Sequence, residues 1–127
     1  MAATAVSELA MDPPSMLICV NNTASLSAPL SQNAPFCINI LHRSHEEIAH
    51  WCSGGAKGEA RFERGVWADG PLRIPYLTDS QAAIFCTNEQ AISYGTHGIY
   101  IGKVLKIDHH PSVDPLIYVD GRYGIVG

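Results

Sequence analysis

Proline and glycine punctuate this chain too densely for long helices. Eleven glycines and eight prolines are spread over 127 residues, and each favours a turn or ends a regular element. The Pro13-Pro14 pair cannot lie inside a helix, and the segment after it, 15–20 (SMLICV), reads as a strand. Segment 36–41 alternates, with Phe36, Ile38 and Ile40 on one face and Cys37, Asn39 and Leu41 on the other. Segments 81–89 and 98–107 are the longest strand candidates; in the second, Ile99, Ile101, Leu105 and Ile107 share a face that suits half-burial. A short strand, 115–119, precedes the Asp120-Gly121 turn. Two helices are expected. One opens on a Ser44/Glu47 capping box, runs to about Cys52 and stops at Gly54-Gly55. The other spans 25–32, where Leu26 and Leu30 lie four apart and Pro29 is tolerated only near the start. Mostly strand with two short helices favours a small closed or nearly closed barrel.

Residues 1–127 read as one domain, long enough to bury roughly two thirds of the surface its unfolded form exposes. Apolar residues make up 46% and charged residues 16%, which excludes intrinsic disorder. No apolar run approaches the ~20 residues that span a bilayer, and the first residues lack the basic head and apolar run of a secretion signal. The cytoplasm is the expected compartment. A net charge of −4 with only eight scattered Lys and Arg argues against nucleic acid as a partner. The four cysteines, Cys19, Cys37, Cys52 and Cys86, lie far apart among apolar neighbours and read as small core residues rather than a disulfide framework.

Several familiar chemistries find no foothold. His42, His45, His50 and Cys52 crowd into eleven residues, but His45 and His50 are five apart. That spacing puts their rings ~140° apart on a helix, so they read as exposed residues and not as metal ligands. His109-His110 beside Pro111 reads as an exposed turn. No serine or cysteine stands in a nucleophile elbow, and Glu46, Glu47, Glu59 and Glu63 read as solvated.

Two features stand apart. Residues 2–7 (AATAVS) are small and partly hydroxylated. Such a strip lets a planar ligand lie against backbone N–H and C=O groups, although it equally describes an ordinary strand at a barrel seam. Residues 19–26 (CVNNTASL) end a strand and open a helix, and the hydroxyls of Thr23 and Ser25 suit a phosphate as well as a plain N-cap. Together they suggest a flat ligand with one phosphate.

Residues 2–21 (AATAVSELAMDPPSMLICVN) resemble the flavin-contacting segment of the short-chain flavin reductases, whose usual form is close to T-A-x-x-V-x-S-x-x-x-D-P-P-x-x-x-x-C-x-N. The likeness continues through 35–41 (PFCINIL), Arg61-Phe62, Gly95-Thr96-His97 and 115–118 (PLIY). It is nearest to the small reductase components of two-component flavin-dependent monooxygenases such as 4-hydroxyphenylacetate 3-monooxygenase. The resemblance implies a mainly β, Greek-key split barrel of the FMN-binding type, usually a homodimer. It implies hydride transfer from NADH or NADPH to FMN or FAD, and delivery of reduced flavin to an oxygenase component. The lack of a marked basic residue for a 2′-phosphate leans toward NADH.

Carried over by position, Ala3, Thr4, Ala5 and Ser7 lie along the flavin ring, and Cys19, Val20 and Asn21 border the ring and ribityl chain. Thr23 and Ser25 hold the phosphate, with Lys57 and Arg61 as second contacts to phosphate or an adenylate. His97, the one expected catalytic residue, sits where nicotinamide stacks, with Arg122 and Tyr123 shaping that site. Relatives of this kind commonly carry a helix and a first strand before the position of Met1, so those two elements are expected to be missing here. Two other functions share these contacts: a flavin carrier or sensor without turnover, and a reductase of ferric or corrinoid acceptors.

Overall fold

A computed structural model describes residues 1–3 and 5–126. It is mainly β, with strands β1 (Val6–Met11), β2 (Pro14–Asn21), β3 (Phe36–Ile40), β4 (Trp67–Asp69), β5 (Pro75–Leu77), β6 (Ala82–Cys86), β7 (Gln90–Tyr94), β8 (His97–His109), β9 (Leu116–Val119) and β10 (Arg122–Ile125). Two short helices, α1 (Ser27–Ser31) and α2 (Glu46–His50), flank β3 in sequence. The main sheet is antiparallel in the order β1-β2-β8-β6-β3, with β7 also on β8. Strands β9 and β10 form one further hairpin, and β4 and β5 another.

Strand β8 organises the molecule because it changes partner along its length. Its first half pairs with β2 from Asn21↔His97 to Ser15↔Lys103, and with β7 from Tyr94↔His97 to Gln90↔Ile101. Its second half pairs with β6, with a register shift between Phe85 and Cys86. A bulge there bends the strand and strengthens the local twist, which lets one strand serve both halves of the sheet. No ladder joins β1 to β3 among the described residues, so the sheet is open between its two ends.

The main core cluster joins Ile18, Val20, Leu30, Phe36, Ile84, Cys86 and Tyr100, and a smaller one joins Ile74, Ala83 and Phe85. Helix α1 closes the first cluster with Leu30, and Asn88 fastens its end by donating through Nδ2 to the Leu30 and Ala34 carbonyls at 2.8 and 3.2 Å.

Some sequence expectations change. Strand β8 does alternate, but its inward face carries Gly98, Tyr100 and Gly102, while Leu105 and Ile107 on the expected core face are half exposed. Neighbouring backbone and rings come too close for a side chain: a Cβ on Gly102 would lie 2.3 Å from the Thr87 carbonyl oxygen and 2.7 Å from the Phe36 ring. The expected strand 81–89 breaks after Cys86, and the chain pairs again as β7, which the polar residues 87–90 had masked. The capping box is not Ser44/Glu47. His42 and His45 form it: the His42 Nδ1 faces the Ser44 N–H at 3.3 Å, and the His42 N–H donates to the His45 Nδ1 at 3.2 Å. His45 is therefore buried rather than exposed, with its Nε2 3.2 Å from Asp79. His110 likewise stacks on His42, with ring centroids 4.6 Å apart.

All four cysteines are free thiols. Burial pushes the Cys37 thiol up to about 12, with the neighbouring Cys86 adding to the shift, and burial pushes Cys86 up to about 11. In the folded protein these two thiols hold protons that the unfolded chain releases, so the stability they contribute is present below pH 9 and is lost as pH rises toward 12. Thiol titration of the native protein at pH 8 is expected to modify Cys19 and Cys52 only; rapid labelling of all four would contradict this.

Candidate functional site

The site forms where β2 ends and β8 begins. The last pair of that ladder is Asn21↔His97. The Asn21 side chain turns the chain out of β2, its Oδ1 accepting from the Thr23 N–H at 2.9 Å and from the Thr23 hydroxyl at 2.8 Å. The Asn22 N–H donates to the Thr96 carbonyl at 2.9 Å, tying this turn to the one that leads into β8. Thr96 Oγ1 lies 2.8 Å from the His97 Nδ1 and orients an otherwise exposed imidazole.

Arg61 approaches the same turn from a different segment. A short 3-10 helix, Gly58–Glu63, carries it, and Trp51 holds that helix by donating through Nε1 to the Ala60 carbonyl at 2.9 Å. The Arg61 Nη1 donates to the Ser25 hydroxyl at 3.3 Å. Its Nε is buried and has no hydrogen-bond partner among the described residues, and no carboxylate pairs with it there. A buried, unpaired guanidinium N–H costs free energy and marks a place where an anion completes the structure. Beside it stands the Ser25 hydroxyl, two residues after Thr23, so the residues present fit a phosphate group.

The N-terminal segment runs along one side. The Cys19 N–H donates to the Ala5 carbonyl at 2.9 Å, and the Ala2 N–H to the Cys52 carbonyl at 3.3 Å. Exposed Ala3 and Ala5 therefore pass between the last part of β2 and the turn at Cys52, presenting backbone and methyl groups only.

The expected residues separate into those this geometry gathers and those it does not. Asn21, Thr23, Ser25, Arg61 and His97 come together, with Ala3, Ala5 and Cys19 alongside. Val20 points into the core at 2% exposure and can offer only its backbone. Ser7 lies further along β1 opposite Leu17, its hydroxyl bonded to the Glu8 carbonyl. Lys57 is exposed just before the 3-10 helix. Arg122 lies on the β9–β10 hairpin, 3.6 Å from Asp120, and Tyr123 packs edge-on against His50 of α2 at 5.0 Å. Neither shows a contact to the Asn21–His97 turn among the described residues. Thr4 lies outside the described residues. Thr96 and Trp51 were not anticipated. The Gly95-Thr96-His97 run was the signal for Thr96, whereas nothing local ties Trp51 to Ala60.

Known proteins resemble this chain over nearly its whole length. A family profile described as "Flavin reductase like domain" matches residues 1–127. The reductase component of a FADH(2)-dependent resorcinol hydroxylase from Rhizobium sp. is 35% identical over 97% of this chain and 69% of its own length. An FMN reductase (NADH), RutF, from Pseudomonas syringae pv. syringae is 32% identical over 95% of this chain and 68% of its own. Among solved structures, a homolog of nitrilotriacetate monooxygenase component B from Mycobacterium thermoresistibile superposes with a TM-score of 0.87 at 25% identity, covering 98% of this chain and 70% of that one.

Proposed function

The chain belongs to the flavin reductase like domain family, and from that premise we propose that it oxidises NADH and passes the hydride to a flavin held at the Asn21–Ser25 turn. The observation that carries this reading is Arg61, whose Nη1 lies 3.3 Å from the Ser25 hydroxyl and whose buried Nε has no partner among the described residues. The flavin, when bound, supplies the redox chemistry itself, and the protein supplies binding, orientation and local polarity.

Each residue's part follows from its place. Arg61 and Ser25 hold the phosphate by charge-assisted and hydroxyl hydrogen bonds, and Thr23 joins them when its hydroxyl turns from Asn21. The backbone at Ala3, Ala5 and Cys19 lies along the ring, where small side chains leave room for a planar group. His97, at the exposed start of β8 and oriented by Thr96, positions the nicotinamide. Lys57, Arg122 and Tyr123 lie further out and are assigned to the outer parts of the two cofactors.

We further assign the reduced flavin to a partner oxygenase component; supporting this, relatives are named as the reductase component of a FADH(2)-dependent hydroxylase and as component B of a monooxygenase. The active form is assigned as a homodimer. The supporting observation is exposed apolar surface at both ends of β8: Ile92 and Tyr94 beside its start are 49% and 80% exposed, and Leu105 and Ile107 near its end are 46% and 53% exposed, surface that a second copy would cover. No helix among the described residues is long and apolar enough to cross a membrane.

Loss of absorbance at 340 nm on adding the protein to NADH and FMN tests the activity. The proposal expects oxidation well above the free-flavin background, and a rate equal to background leaves a flavin carrier instead. The His97→Ala variant is expected to raise the KM for NADH or lower kcat by about tenfold, within the range for a lost positioning contact, with flavin affinity unchanged. Steady-state constants equal to wild type would remove His97 from the site.

A further inference from the structure

A two-stranded hairpin alone is marginal in water, so the β9–β10 hairpin depends on what fastens it to the molecule. Besides the edge-on contact of Tyr123 with His50, that is the segment just before it. The His110 N–H donates to the Gln81 carbonyl at 2.8 Å, the Arg43 N–H to the Asp114 carbonyl at 2.9 Å and the Leu116 N–H to the Leu41 carbonyl at 2.9 Å. The Gln81 side chain adds two bonds, accepting from the Asp114 N–H at 2.6 Å and donating to the Ser112 carbonyl at 3.1 Å.

Two histidines stack at this junction, His42 and His110, with ring centroids 4.6 Å and planes 23° apart. Each uses Nδ1 as an acceptor, His42 from the Ser44 N–H at 3.3 Å and His110 from the Ser112 N–H at 3.1 Å. A ring that accepts at Nδ1 carries its proton on Nε2. A second proton has only Nδ1 to occupy, and it turns that acceptor into a donor facing an N–H. His42 has a remedy, because the Ser44 hydroxyl lies 3.0 Å from its Nδ1 and Asp114 lies 4.0 Å from its Nε2. His110 has neither: the Ser112 N–H is the one hydrogen-bond partner of its ring among the described residues, and no carboxylate there pairs with it. The charges around the stack are otherwise engaged. Asp114 pairs with Arg43 at 3.4 Å, and Asp79 and Asp108, which line a small cavity with His109 and His110, face His45 at 3.2 Å and Lys106 at 3.5 Å. His45, edge-on to His42 at 6.1 Å, accepts the His42 N–H at its own Nδ1, and His109 donates through Nδ1 to the His110 carbonyl at 3.1 Å. Acid therefore charges His42 in place, and a charged His110 then meets a like charge one ring away as well as the Ser112 N–H.

We propose that the His42–His110 stack is an acid-released latch. Neutral rings hold residues 110–115 against the start of α2. As pH falls from about 7 to 5, the range over which imidazoles charge, protonation of His110 detaches that segment and frees the hairpin that bears Arg122 and Tyr123. The latch stands on its own geometry and does not rest on the hydride transfer proposed above.

Proton–nitrogen correlation spectra of the histidine rings at about pH 7 test the resting state: His42, His45 and His110 are expected as Nε2–H tautomers and His109 as the Nδ1–H tautomer. Amide hydrogen exchange, corrected for its intrinsic pH dependence, is then compared at about pH 7 and pH 5. Protection of the Asp114 and Leu116 amides is expected to fall by about tenfold or more, the factor that one linked proton gives per pH unit, while Phe85 in β6 keeps its protection. The His110→Phe variant keeps a flat ring for the stack but takes no proton, so its Asp114 and Leu116 amides are expected to be equally protected at both pH values, with Phe85 showing that it folds. If Phe85 loses protection in the variant, the wild-type tautomers and exchange decide alone. An Nδ1–H tautomer at His110, unchanged protection in wild type, an equal loss at Phe85 in wild type, or an acid response kept by a folded His110→Phe protein would each overturn the latch.

Discussion

Arg61→Ala is expected to weaken FMN binding by about 10- to 100-fold, the scale of one charge-assisted hydrogen bond of roughly 1.5–3 kcal/mol. Riboflavin, which lacks the phosphate, is expected to lose no more than about twofold on the same scale. Arg61 makes a single hydrogen bond, to Ser25, and leaves its buried Nε unpaired among the described residues. Removing it therefore takes little from the fold of the free protein, and the midpoint of urea unfolding in the absence of flavin is expected to stay the same or rise slightly. That combination distinguishes a ligand-holding cation from a structural one. Flavin fluorescence quenching measures the affinities, and an Arg61→Ala variant that binds FMN as tightly as wild type would move the phosphate away from Ser25.

The second large effect concerns stability. Gly102→Ala is expected to destabilise the protein by about 3 kcal/mol, the upper part of the usual range for overpacking. The added methyl would meet the Thr87 carbonyl oxygen at 2.3 Å, the Phe36 ring at 2.7 Å and the Cys86 Cβ at 2.8 Å. The first of these is backbone at the junction between β6 and β7, where Thr87 N–H donates to the Lys103 carbonyl, so no rotamer change relieves it. Gly124→Ala serves as the comparison, since nothing lies within 4 Å of a Cβ at Gly124. Urea denaturation gives both values, and a Gly102→Ala protein as stable as Gly124→Ala would refute the close approach of β8 to β6.

These two residues also mark what the sequence does and does not disclose. Strands announced by alternation (β3 and β8) were legible because a half-buried strand repeats every two residues, and β2 was legible from the Pro13-Pro14 pair before its apolar run. The sign of that alternation in β8 was not. Ile99, Ile101, Leu105 and Ile107 look like a core face, whereas glycine carries no apolar signal even where it marks the tightest packing. The turn from Asn21 to Ser25 could be read locally because its hydroxyls and its position between strand and helix are contiguous. The meeting of Ser25 with Arg61, 36 positions apart, and of Asn21 with His97 depends on the sheet order β2-β8 and on Trp51 fixing the 3-10 helix. Family resemblance supplied those long-range pairings. The helix expected after Ser44 is present as α2, but its cap differs: a histidine Nδ1 caps backbone N–H groups as well as a hydroxyl does, and His42 and His45 take that role.

The central claim is that this chain transfers hydride from NADH to flavin at the Asn21–His97 end of the sheet. It is tested most directly by anaerobic rapid mixing of the protein with equimolar NADH and FMN, following 340 nm and 450 nm together. The account predicts that both absorbances fall in a single protein-dependent phase, one mole of NADH for each mole of FMN, and that Arg61→Ala slows this phase at subsaturating FMN. Decay of both signals at the rate of protein-free NADH and FMN would contradict it.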